Sequence, residues 1–174
     1  MEFIRDMSVT AENRKYFVDV FMDWCASVRL EYDANNKEPY SYFGTVDEIV
    51  NYLNVKSDNL LDRYPMIALQ DDLGLTQSKK FDWYEVSPTI YIFNETLENY
   101  DPQQRYDNII KPILFPIKEL LTRIIEESDA VSPANEADEP VFEIFKGSIN
   151  GTTIPDTVDC IKLSFSNLRI KNHC

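Results

Sequence analysis

The segment Asp101-Pro102-Gln103-Gln104-Arg105-Tyr106 opens like a helix, and a helical pattern then runs on through two prolines, Pro112 and Pro116. Asp101 can accept from the first free backbone donors, Pro102 suits the first helical position, and Gln104 stands where a capping box places an acceptor that reaches back. Apolar residues recur at Tyr106, Ile109, Ile110, Ile113, Leu114, Ile117, Leu120, Leu121 and Ile124, a spacing that keeps one face of a helix apolar past both prolines. An internal proline removes a backbone bond and costs roughly 3 kcal/mol in an ordinary helix. The spacing therefore predicts a long, bent helix to about Glu127, held by packing, in which the carbonyls of Asn108 and Pro112 lose their donors.

The chain has 174 residues, 44 % of them hydrophobic, enough for one domain with a substantial core. It contains no apolar run near 18 residues, and Met1-Glu2-Phe3-Ile4-Arg5-Asp6 lacks the basic and apolar regions of a signal peptide, so the chain reads as cytosolic. Cys25, Cys160 and Cys174 are odd in number and unpaired in spacing, which argues for reduced thiols rather than a disulfide framework or a zinc knuckle. The net charge of −13 is spread along the chain, with 16 acidic and 9 basic residues up to Ser87 and 14 and 8 after it. Such a surface gains nothing from counterion release on DNA, though nucleic acid could pass nearby without adhering.

Thr10 can cap a first helix whose stripe is Phe17, Val20, Phe21, Trp24 and Val28. Asp33 to Phe43 reads as a loop whose aromatics, Tyr40, Tyr42 and Phe43, are candidates to pack on a neighbour. Thr45-Val46-Asp47-Glu48 is a capping box that opens a short helix through about Leu53, and Ser57 to Asp62 suits another turn. Met66 to Leu69 is a short buried strand, closed by the turn Asp71-Asp72-Leu73-Gly74. A longer strand is expected from Tyr84 to Phe93. Its Pro88 cannot donate to a ladder, which places it at an edge or a bulge and leaves an edge free for pairing. The acidic segment from Ser128 to Pro140 has no periodic apolar positions and reads as a flexible loop outside the core. Two strands close the chain, Val141 to Ile149 and Val158 to Ile170. They are joined through the turn signal Asn150-Gly151, with a parity slip that suggests a bulge near Asn167. The expected fold is α+β: a small, mostly antiparallel sheet of about four strands, packed by the amino-terminal helix and the proline-bearing helix.

Chemistry-bearing patterns are weak. Asp71, Asp72, Asp82 and Glu85 could hold magnesium for phosphodiester cleavage, but Ser87 stands where many such nucleases carry lysine, and solvation of a turn accounts for the two aspartates. The single histidine, His173, lies next to last, and the four glycines are too far apart to cradle phosphate. Asn94-Glu95-Thr96 and Asn150-Gly151-Thr152 match a glycosylation pattern by chance. No catalytic residue, cofactor or metal is expected.

The combination of Arg63-Tyr64-Pro65 before a strand, Val86 to Phe93 as a second strand, Tyr100 to Tyr106, and Ile109-Ile110-Lys111-Pro112-Ile113-Leu114-Phe115-Pro116 resembles small neck and tail proteins of tailed bacteriophages, notably of the crAss-like kind. The likeness covers Arg63 to Glu127 and extends to the wider tail-terminator and tail-completion fold. It implies a structural virion protein, made in the host cytoplasm, that forms a homo-oligomeric ring of six or twelve copies. The ring would stand among portal, neck and tail rings, with the genome passing without specific binding and no membrane involved. Ring subunits meet head to tail and need two different surfaces. Arg105 and Tyr106 have two readings, contacts within the domain or anchors that reach a neighbouring subunit. Pro112 and Pro116 either only bend the helix around the core or create a flat stripe for a partner. The other candidate contacts are the aromatics Tyr40, Tyr42 and Phe43, the acidic Glu136, Asp138 and Glu139, and strand addition at Val86 to Phe93. The alternative is a free acidic inhibitor or adaptor that mimics DNA towards a basic partner, with Glu126, Glu127, Asp129, Glu136, Asp138 and Glu139 as its patch.

Overall fold

The structure is a computed structural model that describes residues 2–32, 37–54, 64–77, 83–132, 140–145, 147–155 and 157–171. Helix α1 (Glu2–Glu31) begins upstream of the expected Thr10 cap, because Glu2 to Val9 holds no glycine or proline to stop it. Its stripe is as the spacing predicts: Phe17, Val20, Phe21, Trp24 and Val28 are all buried. Strand β1 (Tyr40–Gly44) replaces the carboxyl end of the expected loop, since its aromatics fit the pleated surface as strand residues. Helix α2 (Val46–Asn54) starts at a formed capping box: Thr45 N–H donates to Glu48 Oε2 at 2.8 Å and Glu48 N–H to Thr45 Oγ1 at 3.2 Å. The expected turn at Ser57 to Asp62 lies outside the described residues.

Strands β2 (Met66–Gln70), β3 (Thr76–Gln77), β4 (Trp83–Val86) and β5 (Thr89–Glu95) follow. The single strand expected from Tyr84 to Phe93 is thus two, divided at Ser87-Pro88, where the proline cannot donate. Beyond the long helix come β6 (Val141–Phe145), β7 (Ser148–Ile149), β8 (Thr152–Thr153), β9 (Val158–Ser164) and β10 (Leu168–Lys171). A five-stranded sheet has the order β1-β2-β5-β9-β6, parallel only between β1 and β2; a smaller sheet has the order β10-β4-β3; and β7 and β8 form a hairpin. The fold is α+β and mainly antiparallel, with more strands than the four expected.

β4 and β5 run antiparallel to β10 and β9 as one ribbon that changes sheet halfway. Thr89 faces Ser164 and Val86 faces Leu168, so two residues on one side oppose three on the other, which is the bulge that the parity slip implies. Asn167 takes φ +54° there, and its N–H donates to Ser87 Oγ at 3.2 Å. The tight turn is also as expected: Asn150 and Gly151 have φ of +47° and +84°.

The long helix keeps its direction but changes register. Asp101 and Gln104 form the complete capping box, with bonds of 2.9 and 3.0 Å. One α-helical turn, α3 (Pro102–Arg105), leads into nine residues of π-helix (Tyr106–Leu114) and then α4 (Phe115–Glu126). Arg105, Tyr106, Leu114 and Phe115 at the junctions all keep right-handed helical angles, so the segment does not break. In the wider π turn each N–H reaches back five residues, as Phe115 does to Ile110. The carbonyl that Pro112 leaves without a donor is therefore that of Asp107, not Asn108, and the ring escapes the close i−4 carbonyl that an α-helix would force on it. Pro116 is the second residue of α4, directly after the change from π to α register, and is exposed.

Two cores share the five-stranded sheet. On one face Ile67, Leu69, Ile90, Ile92, Ile161 and Leu163 pack under α1, the π segment and α4, with β4 and β10 closing over α1. On the other face Met66, Ala68, Tyr91, Phe93 and Cys160 pack under α2 and the β7–β8 hairpin. Ser128 to Ser132, expected to lie in an outer loop, is tied to the first core: Val131 is buried and bridges to Ile170, and Trp24 Nε1–H donates to Ser128 Oγ at 2.9 Å. The rest of the acidic segment, residues 133–139 with Glu136, Asp138 and Glu139, lies outside the described residues.

Candidate assembly surface

Two strands bound the five-stranded sheet, β1 and β6, and among the described residues neither has a strand on its outer side. The edge expected at Val86 to Phe93 is not available, because β5 is held between β2 and β9, and β4 between β10 and β3. Non-local pairing, which a local pattern does not encode, decides this.

β6 exposes apolar side chains on both of its faces. Val141 is 64 % exposed, Phe142 47 % and Ile144 42 %, although the strand is hydrogen-bonded along β9. Soluble proteins usually blunt such an edge with charge, proline or a covering element. Phe142 faces the helical side, where its ring meets Phe115 edge-on at 6.4 Å, and Phe115 meets Tyr106 edge-on at 6.1 Å. Lys118 Nζ lies 4.4 Å from the Phe142 ring centroid, a cation held over an aromatic face. Tyr106, Phe115 and Phe142 form a chain of ring contacts where the junction of the π segment and α4 meets the sheet edge, and Ile144 shares the Phe142 face of β6. The π register itself is uncommon and recurs at functional sites.

The candidates from the sequence divide accordingly. Tyr106 belongs to this surface and is 40 % exposed. Arg105, its neighbour, turns inward: its guanidinium forms an ion pair with Asp159, which is 2 % exposed, and Nε donates to Asp159 Oδ2 at 3.2 Å. Its contact within the chain is thus formed. Pro112 and Pro116 are exposed on the outer side of the helix. Tyr40 and Tyr42 lie at the opposite edge, both stacked on Tyr52, with centroids 5.8 and 4.8 Å away, while Phe43 packs against the first core. Burial, with Glu48 and Tyr40 nearby, holds the Tyr42 hydroxyl above the usual tyrosine range. Phe115, Lys118, Val141, Phe142 and Ile144 were not singled out by the sequence. The signal for them is Val141-Phe142-Glu143-Ile144-Phe145 itself, which places apolar residues at both parities of a short strand directly after Pro140.

Carboxylates gather elsewhere. A groove of about 450 Å³ between α1 and the end of α4 has Trp24 and Tyr16 in its wall and Asp19, Asp23, Glu31, Glu127 and Asp129 around it. Two of the four carboxylates considered for metal binding are taken up in ion pairs, Asp71 with Arg14 and Glu85 with Arg169 at 3.3 Å, while Asp72 is exposed and Asp82 lies outside the described residues. No group of side chains arranged to hold a metal ion occurs among the described residues. No protein-family model matches the chain, and neither does any curated protein sequence.

Proposed function

We propose that this protein is a structural subunit of a tailed-phage neck or tail, built into a homo-oligomeric ring around the DNA passage. The observation that supports this most is the uncovered apolar surface on β6 and the adjoining π segment, because a strand edge of that composition is a docking surface for protein rather than for a small substrate. The resemblance of Arg63 to Glu127 to neck and tail proteins supplies the setting, with portal, neck and tail rings as neighbours. The net charge of −13 suits a passage wall along which DNA slides. The role is structural, not catalytic.

Native mass spectrometry over a wide concentration range, with negative-stain images of the same samples, tests the reading. Closed rings of six or twelve copies are expected. A monomer at every concentration, also in the presence of purified neck and tail rings, overturns it.

The acidic groove favours a second reading, a free adaptor or inhibitor that presents carboxylates to a basic partner. Under it, Asp19, Asp23, Glu127 and Asp129 would carry the binding, and affinity for a basic partner would fall steeply as salt is added.

A further inference from the structure

The two edges of the main sheet differ in composition but match in length, direction and backbone polarity. β1 and β6 each hold five residues, and along the order β1-β2-β5-β9-β6 the two outer strands run in opposite directions. If a second copy is set beside the first with its sheet in the same orientation, its β1 lies antiparallel to β6.

The backbone alternation agrees. Tyr40 N–H donates to the Pro65 carbonyl, so Tyr40 and Tyr42 aim their polar backbone groups at β2, and Ser41 and Phe43 aim theirs outward. Carried through the registers of the ladder, the same alternation turns Val141 and Glu143 towards β9 and leaves Phe142 and Ile144 with outward donors and acceptors. Side chains agree as well. Phe142 and Phe43 both stand on the helical face, and Glu143 and Tyr42 both stand on the other.

We infer that β6 of one copy pairs antiparallel with β1 of the next, setting Val141 opposite Gly44, Phe142 opposite Phe43 and Glu143 opposite Tyr42, so that the five-stranded sheets continue from copy to copy. This rests on the proposal above that copies assemble head to tail, and it names the contact. The register places the two phenylalanines side by side, sets branched Val141 against a residue without a side chain, and brings a carboxylate to a tyrosine hydroxyl. It covers the apolar edge that the isolated chain leaves in water. The two ends of each sheet are different surfaces, as a head-to-tail contact requires.

The test is cross-linking between copies. Glu143→Cys and Tyr42→Cys are made in separate full-length chains, each with Cys174→Ser. The native Cys25 and Cys160 are buried and stay out of the reaction. Glu143 and Tyr42 would form a non-hydrogen-bonded pair, with Cα atoms about 4.5 Å apart, within disulfide range. On mixing and mild oxidation, a disulfide between the two variants is expected in preference to either homodimer. Ile144→Lys, an exposed substitution that should leave the circular dichroism spectrum unchanged, is expected to weaken association about tenfold or more by placing charge on the paired edge. Rings that form without the cross-link and tolerate Ile144→Lys overturn the edge pairing and leave the ring proposal standing. A cross-link in open fibres or simple dimers supports the pairing and overturns the ring. Monomers with no cross-link overturn both.

Discussion

Arg105 and Tyr106 are adjacent and meet opposite environments. Asp159 extends the helix-facing row of β9, and with 2 % exposure its charge depends on Arg105. Removing one partner of a buried ion pair costs about 3–5 kcal/mol, because the other charge stays desolvated. Arg105→Ala is therefore expected to lower the unfolding free energy by about 3 kcal/mol or more in urea titrations, against less than about 1 kcal/mol for the half-exposed Tyr106→Ala. A small loss for Arg105→Ala would mean that water reaches Asp159. The buried thiols make a second, pH-dependent prediction. Burial pushes Cys25 up to about 12 despite the lowering effect of Arg29, and raises Cys160 well above the usual range. Burial, with Cys160 and Glu143 as lesser causes, pushes Tyr91 up to about 12. In the unfolded chain these groups lose their protons near about 8.5 for cysteine and about 10 for tyrosine, whereas the folded chain keeps them. The stabilisation from the protonated groups is complete below pH about 8 and declines as pH rises, by about 1.4 kcal/mol per unit for each group titrating only in the unfolded state. Urea titrations from about pH 7 to 11 should show this decline, steepening above pH about 10, and Cys25→Ala with Cys160→Ala should remove the part that begins near pH about 8.

Elements whose signals are local were legible in the sequence. The capping boxes at Asp101 and Thr45, the α1 stripe and the Asn150-Gly151 turn each depend on residues within a few positions of one another, and each is formed. The π register was not legible, because spacings of three and four keep Ile110, Leu114 and Ile117 on one buried face in either ladder. Tyr40-Ser41-Tyr42-Phe43-Gly44 lacks the alternation that marks a half-buried strand, so β1 is evident only from its pairing with β2. The candidate surface was partly legible: Tyr106 was found through its helix, whereas β6 depends on which strand the chain leaves outermost. Ser128 to Ser132 shows the same limit at the scale of one apolar residue. A lone Val131 in an acidic stretch has no periodicity, yet it sits under α1 and bridges Ile170, while Ser132 N–H donates to the Arg169 carbonyl at 2.9 Å. Val131→Ala is expected to cost about 2 kcal/mol, in the range of buried truncations, whereas a loop residue would cost under about 0.5 kcal/mol. Thermal unfolding of this variant distinguishes the two.

Across the whole molecule the apolar edge and the charge act in opposite directions. Joining copies of a chain with net charge −13 brings like charges together, a repulsion that acts over about 10 Å at 0.1 M salt and over about 3 Å at 1 M. Among the described side chains the β6 surface carries exposed Val141, Phe142 and Ile144, with Glu143 on one face and Lys118 over Phe142 on the other, so most of the contact there is apolar. Association through it should therefore strengthen as salt rises, because screening removes the opposing term and leaves apolar burial and strand pairing in place. An adaptor that offers the carboxylates of the α1–α4 groove to a basic partner behaves in the opposite way, since salt screens the attraction that forms the complex. Sedimentation of the purified chain at rising sodium chloride, with a basic protein added in parallel samples, reads both. Self-association that grows with salt is the outcome expected of a ring subunit. Self-association that falls with salt would place charged contacts, rather than the β6 edge, at the centre of assembly.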